Sequence, residues 1–252
     1  MSNKPYYLAY ESRYKKVYEA GVKRWGHAPT DETLVSTLTA WVKDHQLQGK
    51  RIIEFACGEG AGGEILSGLG CIYHGVDIAP SAIEKSRKAL ERYPSATVSL
   101  LDMVNEQIAE NYDAAIDIMG FHMLVTDTDR RKYLQNAFNC LAPGAPMLFF
   151  RETYRKDDPA SNESIESLEQ WITITGDDYI TPQIRTASQN GINIEVNIPL
   201  VPARARNMDG YMKEMSNIGF VVDDFIEMDI NRQCPYSASI FVHKPIADKQ
   251  FY

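Results

Sequence analysis

The chain has 252 residues, a length for which one large core is the default. Hydrophobic residues make up 44% and charged residues 24%, as in an ordinary globular protein, and no run approaches the ~18 apolar residues of a membrane span. A formal net charge of −8 argues against duplex nucleic acid as a partner, because phosphate binding needs a basic surface.

The N-terminal segment is aromatic: Tyr6, Tyr7, Tyr10, Tyr14, Tyr18 and Trp25, with Arg13 among them. Tyr7, Tyr10, Tyr14 and Tyr18 approximate one helical stripe, which fits packing on the domain at least as well as lining a ligand. No apolar h-region is present, so secretion is not expected. After Pro29-Thr30-Asp31, residues Leu34, Val35, Leu38, Trp41 and Val42 are spaced for a helix. A first strand is expected at about 51–56, then a helix carrying Ile65, Leu66 and Leu69. A second strand at 72–77 ends in Asp77, and Pro80-Ser81 opens a helix to about Arg92. A third strand, 97–101, runs into Asp102-Met103, and a fourth covers roughly 113–119. A helix from Asp127 buries Tyr133, Leu134, Ala137, Phe138 and Leu141 and stops at Pro143-Gly144. A fifth strand spans 146–151. Strands alternating with helices of this length specify βαβ units and a parallel sheet.

The alternation then breaks. Residues 154–206 begin polar, give a short amphipathic piece through Trp171, and pass to Gly191–Ile198, which alternates with period two. A helix with Tyr211, Met212, Met215 and Ile218 on one face ends at Gly219. Strands at 220–228 and 237–243 follow, joined through Cys234-Pro235. The four cysteines (57, 71, 140, 234) are scattered, which suggests neither a disulfide framework nor zinc, and a reduced, cytoplasmic protein is expected.

The most informative stretch is 52–63, Ile-Ile-Glu-Phe-Ala-Cys-Gly-Glu-Gly-Ala-Gly-Gly. Its glycines let a strand turn tightly into a helix and let backbone approach a ligand. Glu54, at the strand end, is an acceptor facing that turn. A pyrophosphate would want donors there, whereas a sulfonium or an ammonium wants a carboxylate. The stretch therefore fits a nucleoside whose other end is positive. These residues resemble the first motif, acid-x-Gly-x-Gly-x-Gly, of the class I, Rossmann-like S-adenosylmethionine-dependent methyltransferases. Ala56 stands where the first glycine usually does, a departure expected to remove only the positive-φ option. The resemblance is strong in order and spacing from Ile52 to Phe150 and loose over the first 50 residues and 154–206.

The resemblance implies a doubly wound, mostly parallel seven-stranded α/β sheet with helices on both faces and a C-terminal antiparallel hairpin. It divides a single domain into an N-terminal helical cap (1–48), a cofactor-binding core (49–153), a substrate lid insertion (154–206) and a C-terminal helix and hairpin (207–245). The lid follows the fifth strand at the edge where open α/β sheets bind ligands, and removing it is expected to spare cofactor binding. The implied cofactor is S-adenosyl-L-methionine, with S-adenosyl-L-homocysteine as product. Cofactor contacts are assigned to Tyr14, Arg13, Glu54, Ala56, Gly58, Gly60, Asp77, Ile78, Asp102, Met103 and Ile118. Asp77, 23 residues after Glu54, suits a carboxylate accepting both ribose hydroxyls, its plainer reading being a helix cap. In the resembled family an acid at Asp102 accepts from the adenine amino group while Met103 packs on the ring. Tyr14 would close over the sulfonium and Arg13 would meet the cofactor carboxylate.

His122 and Glu152, at the ends of the fourth and fifth strands, are the candidate bases, and a working His122 would be neutral. Arg151, Arg185 and Arg204 are candidates for a substrate carboxylate, though each alone reads as a surface arginine. The expected substrate is a small molecule or a peptide, with acceptor atom and oligomeric state open. Two rival readings remain. Gly58, Gly60 and Gly63 also satisfy the Gly-x-Gly-x-x-Gly of nicotinamide-dependent oxidoreductases, and a non-catalytic S-adenosylmethionine-binding module would keep the same motif.

Overall fold

A computed structural model describes residues 5–158, 160, 163–189, 192–228 and 236–246. Gly191, Cys234 and Pro235 lie outside the described residues. Among the described residues, nine strands form two sheets. The main sheet has the order β3-β2-β1-β4-β5-β9-β8, built from β1 (Arg51–Phe55), β2 (Ile72–Asp77), β3 (Ala96–Leu100), β4 (Ala114–Ile118), β5 (Pro146–Thr153), β8 (Val221–Met228) and β9 (Ser237–His243). The first five strands are parallel, and β9 runs antiparallel between β5 and β8. The expected seven-stranded, doubly wound sheet with a terminal antiparallel hairpin is thus the observed one.

Its two faces are written in the strands with period two. Ile53, Phe55, Ala115, Met147 and Phe149 point to one side, where α5 (Asp127–Cys140) and α7 (Met208–Ile218) supply Tyr133, Leu134, Tyr211 and Met215. Ile52, Ala114, Ile116, Leu148 and Phe150 point to the other, covered by α2 (Glu32–Asp44) and α3 (Ala61–Gly68) through Leu34, Leu38, Trp41, Ile65 and Leu66. α4 (Pro80–Leu90) adds Leu90 to that layer. The expectation of a helical cap over 1–48 therefore splits. α2, capped by Asp31 Oδ1 on the Leu34 N–H at 3.0 Å, is part of the sandwich. Only α1 (Ala9–Glu19), after a 3-10 turn at Tyr6–Leu8, lies at the carboxyl ends of the strands.

The insertion holds α6 (Leu168–Thr175) and a separate two-stranded sheet of β6 (Gln183–Gln189) and β7 (Ile192–Ile198). Val196 and Ile198 of β7 pack on Val17 and Val22, at and beyond the end of α1. Cys57, Cys71 and Cys140 are buried free thiols. Among the described residues no helix is long and apolar enough to cross a membrane.

Close approach of α3 to the sheet depends on its glycines. A Cβ on Gly63 would stand 2.6 Å from the Tyr73 ring, which is itself buried. Gly63→Ala should destabilise the protein by ~1–3 kcal/mol through overpacking. Gly68→Ala, where a Cβ meets only the Tyr93 hydroxyl at 3.6 Å, should be neutral or mildly stabilising. Urea unfolding of the two variants against the parent measures the difference.

Candidate functional site

At the carboxyl edge, β1 passes through Ala56 (φ 50°), Gly58 (φ 52°) and Gly60 (φ 82°) into α3. The expectation that alanine forgoes positive φ is corrected: Ala56 adopts it, at a cost of ~1–2 kcal/mol for an L-residue. Met119 (φ 60°), just after β4, and Arg151 (φ 58°), near the end of β5, do the same. Three neighbouring strands thus carry a strained non-glycine residue at one edge, a pattern associated with functional sites.

The ends of β1, β2, β4 and β5 carry four buried acids. Asp77 accepts the Gly58 N–H at 2.9 Å and the Ala79 N–H at 2.8 Å, one on each oxygen. Asp117 accepts the Gly120 and Phe121 N–H groups at 2.6 and 3.2 Å and the Tyr133 hydroxyl. Glu152 accepts both the His122 N–H, at 2.7 Å, and its ring Nδ1, at 2.8 Å. Glu54 takes the Tyr73 hydroxyl and lies against Gly62, where a Cβ would come 2.6 Å from its carboxylate. Burial raises all four pKa values: Asp77 to about 6, Glu152 to about 7, Glu54 to about 8, and Asp117 well above its ordinary value.

A cavity opens on this edge. Ala56, Asp77, Ile78, Asp102 and Met103 form its floor and far wall, Gly120, Met123 and Leu124 one side, and Tyr7, Tyr10 and Tyr14 the roof. Of the residues assigned to the cofactor, Tyr14, Ala56, Asp77, Ile78, Asp102 and Met103 therefore meet around one space. Gly58 faces the Tyr14 hydroxyl, 3.1 Å from where a Cβ would stand. Gly60 instead faces Ser86 of α4, Ile118 packs in the apolar layer, and Glu54 sits behind the glycine turn. Protonated near neutrality by its burial, Glu54 anchors that turn and presents no charge to the cavity.

The tyrosine stripe both packs on the domain and lines the cavity. Tyr7 donates to Asp102 at 3.2 Å, Tyr10 to the Pro202 carbonyl at 3.0 Å and Tyr18 to Glu59 at 2.8 Å. Glu59, between Gly58 and Gly60, also accepts the N–H groups of Trp25 and Gly26 at 2.8 and 2.9 Å. It thereby ties α1 and the following turn to the glycine loop. Sequence reasoning passed over Glu59, although a carboxylate inside a glycine turn is the available signal. Asp117 was also missed, because a single acid within an apolar strand reads as an irregularity. The insertion is not separable from the cavity as expected, since it buttresses α1 through Val196 and Ile198 and supplies the acceptor for Tyr10.

His122 and Glu152 are brought together, and the arginines are divided. Glu152 is fully buried and takes the Nδ1 proton of His122, whose Nε2 makes no hydrogen bond among the described residues. Burial lowers the His122 pKa to about 4, so its ring is neutral. His27 is held at both ring nitrogens: its Nδ1 lies 3.3 Å from Arg151 and 3.4 Å from Asp31, and its Nε2 meets Met119 Sδ at 3.0 Å. Arg151 is bound to Asp31 at 2.7 Å, and Arg204, expected from sequence as a candidate for a substrate carboxylate, is instead fully buried against Asp127 and the Val125 carbonyl. Arg13 and Arg185 form no ion pair or hydrogen bond among the described residues, and the buried Nε of Arg13 has no acceptor.

Residues 53–147 match the family model described as a methyltransferase domain. Among solved structures, an S-adenosylmethionine-dependent methyltransferase from Clostridium acetobutylicum superposes with a TM-score of 0.64 at 12% identity, over 95% of this chain and 99% of that one. An amino pentose methyltransferase from Micromonospora echinaspora, with bound S-adenosylmethionine, gives 0.57 at 15%, over 97% and 100%. A glycopeptide N-methyltransferase with sinefungin gives 0.58 at 16%, over 92% and 96%. At these identities the likeness is one of fold. No curated protein matches the sequence significantly.

The strained Ala56 sets a steric condition on Gly120, where a Cβ would lie 2.5 Å from the Ala56 methyl and 2.8 Å from the Asp117 carboxylate. Gly120→Ala should cost ~1–3 kcal/mol. Ala56→Gly alone should be close to neutral or stabilising, because it relieves positive φ, and combined with Gly120→Ala it should recover part of the loss. A double-mutant cycle by urea denaturation, giving a coupling of at least ~0.5 kcal/mol, is the expected result.

Proposed function

We propose that the chain, whose residues 53–147 match a methyltransferase domain, is a class I S-adenosylmethionine-dependent methyltransferase that methylates a small metabolite or a peptide at a group that His122 deprotonates. The observation carrying this reading is the His122–Glu152 pair: a buried carboxylate takes the Nδ1 proton and leaves the Nε2 lone pair free to accept one. The loop bearing His122 also gives Gly120, Met123 and Leu124 to the cavity wall, so the base stands beside the cofactor site.

The residues present fit the cofactor. Each oxygen of Asp77 spends one lone pair on a backbone N–H, which leaves one on each for a ribose hydroxyl. Asp102 and Met103 line the same cavity, where a ring amino group would share the carboxylate with Tyr7. S-adenosylmethionine, when bound, supplies an activated methyl group. The chain's own task is to align the acceptor, remove its proton and exclude water. Tyr10 and Tyr14 line the cavity with phenols that burial keeps protonated. Acceptors that need such a base are hydroxyls and ammonium groups. That similar folds serve a glycopeptide and an amino pentose methyltransferase supports the small-molecule or peptide class. Three buried free thiols support a reducing, cytoplasmic setting.

Two measurements test this reading. Asp77→Ala should weaken S-adenosylhomocysteine binding roughly ten- to a hundredfold, since a charged hydrogen bond is worth ~1.5–3 kcal/mol. With Asp77 at about pKa 6, parental affinity should rise as pH rises through that value. Calorimetry in which the folded variant binds like the parent would remove Asp77 from the site.

The second concerns the base. When Glu152 is protonated it donates to Nδ1, the ring proton moves to Nε2 and the base is lost. Turnover should therefore rise as pH passes about 7, where Glu152 ionises, and not at the ~6.5 of a free histidine. His122→Asn should lose ~10²–10⁴-fold in kcat with cofactor affinity retained. A variant within a few-fold of the parent, with the same pH profile, would leave His122 a wall residue.

A further inference from the structure

The arginines near the cavity have unequal circumstances. Arg151 and Arg204 are neutralised inside the protein by Asp31 and Asp127. Arg13 and Arg185 have no such carboxylate, and topology puts them together. Arg13 and Val17 are one turn apart on the same face of α1. Val17 packs on Val196, and Arg185 is the residue paired with Val196 across the β6–β7 hairpin. Paired residues project from the same face of a two-stranded sheet, so Arg185 stands on the face of the hairpin that covers α1, beside Arg13.

Arg13 is also flanked on its own helix by Tyr10 and Tyr14, which line the cavity. Its guanidinium lies 5.4 Å from the centre of the Trp25 ring. Burial depresses its pKa and the like charge of Arg185 depresses it further. A guanidinium withdrawn from water, with an unmatched donor and a second cation near it, is an unfavourable arrangement that an anion would complete.

We propose that Arg13 and Arg185 form an anion subsite at the mouth of the cavity, selecting methyl acceptors that carry a carboxylate or a phosphate. The subsite joins α1 to the insertion, and the family match ends at residue 147, so its second cation comes from a part of the chain outside the matched domain. Two planar forks can hold one anion from two sides, and they give local attraction on a chain of net charge −8. The proposal rests on the methyltransferase reading for the identity of the neighbouring site. The other anion available there is the cofactor's own carboxylate, to which the sequence assigns Arg13.

The test is calorimetry in two stages. S-adenosylhomocysteine binding to the parent is measured first, and its absence would overturn the methyltransferase reading itself. The S-adenosylhomocysteine complex is then titrated with inorganic phosphate and with the pairs N-acetylglycine and its amide, glucose 6-phosphate and glucose. The anionic members should bind at least ~tenfold more tightly than the neutral ones, in keeping with charge-assisted hydrogen bonds. Arg185→Gln should remove that preference while changing S-adenosylhomocysteine affinity less than about threefold, and Arg13→Gln should also remove it, with Arg13→Lys restoring part. Thermal unfolding of each variant confirms that it is folded. The proposal is overturned if no anion binds, or if the preference survives Arg185→Gln. It is equally overturned if Arg13→Gln weakens S-adenosylhomocysteine but not its decarboxylated analogue, which would give Arg13 to the cofactor.

Discussion

Four buried carboxylates at one edge of the sheet hold the site in place. Glu54, Asp77, Asp117 and Glu152 lie at or near the ends of β1, β2, β4 and β5, and a buried acceptor left unmatched is costly. Asp77 therefore draws the Gly58 and Ala79 N–H groups to itself, Asp117 those of Gly120 and Phe121, and Glu152 that of His122. The loops after three strands are fixed by the acids that precede or adjoin them. The cavity wall and the candidate base are consequences of that fixing.

Backbone strain is gathered in the same place. Ala56, Met119 and Arg151 all take left-handed conformations, and each is held by a neighbour: Ala56 by contact with Gly120, Met119 by His27, Arg151 by Asp31. Such conformations persist only where surrounding contacts over-determine them. Here the contacts belong to the loop after β4 and to the segment between α1 and α2, so the strained strand ends and the roof of the cavity stabilise one another.

The roof couples the two sides of the reaction. Tyr10 and Tyr14 of α1, with Tyr7 of the turn before it, line the cavity, and the helix meets the insertion through Val17 near its end. Glu59 clamps it below and Pro202 receives Tyr10 from the insertion side.

The sequence by itself determined the succession of strands and helices in the core, the terminal hairpin and part of the cavity lining. These depend on local signals: period-two apolar runs, a glycine turn at a strand end, acids at fixed distance from it. Asp77, Asp102 and Met103 were legible because they follow their strands directly. Tertiary structure decided the rest. Glu54 and Asp77 look alike as strand-end acids, yet one is sealed behind α3 by Gly62 and Tyr73 while the other borders the cavity. His122 and His27 differ through the residues that the fold sets against their ring nitrogens, Glu152 for the first and Arg151, Asp31 and Met119 for the second. Arg151, Arg204, Arg13 and Arg185 are indistinguishable as arginines along the chain. Only the fold supplies Asp31 and Asp127 to the first two and withholds a carboxylate from the others. Charge, protonation and exposure depend on contacts between residues tens of positions apart, and those exist only once the chain has packed.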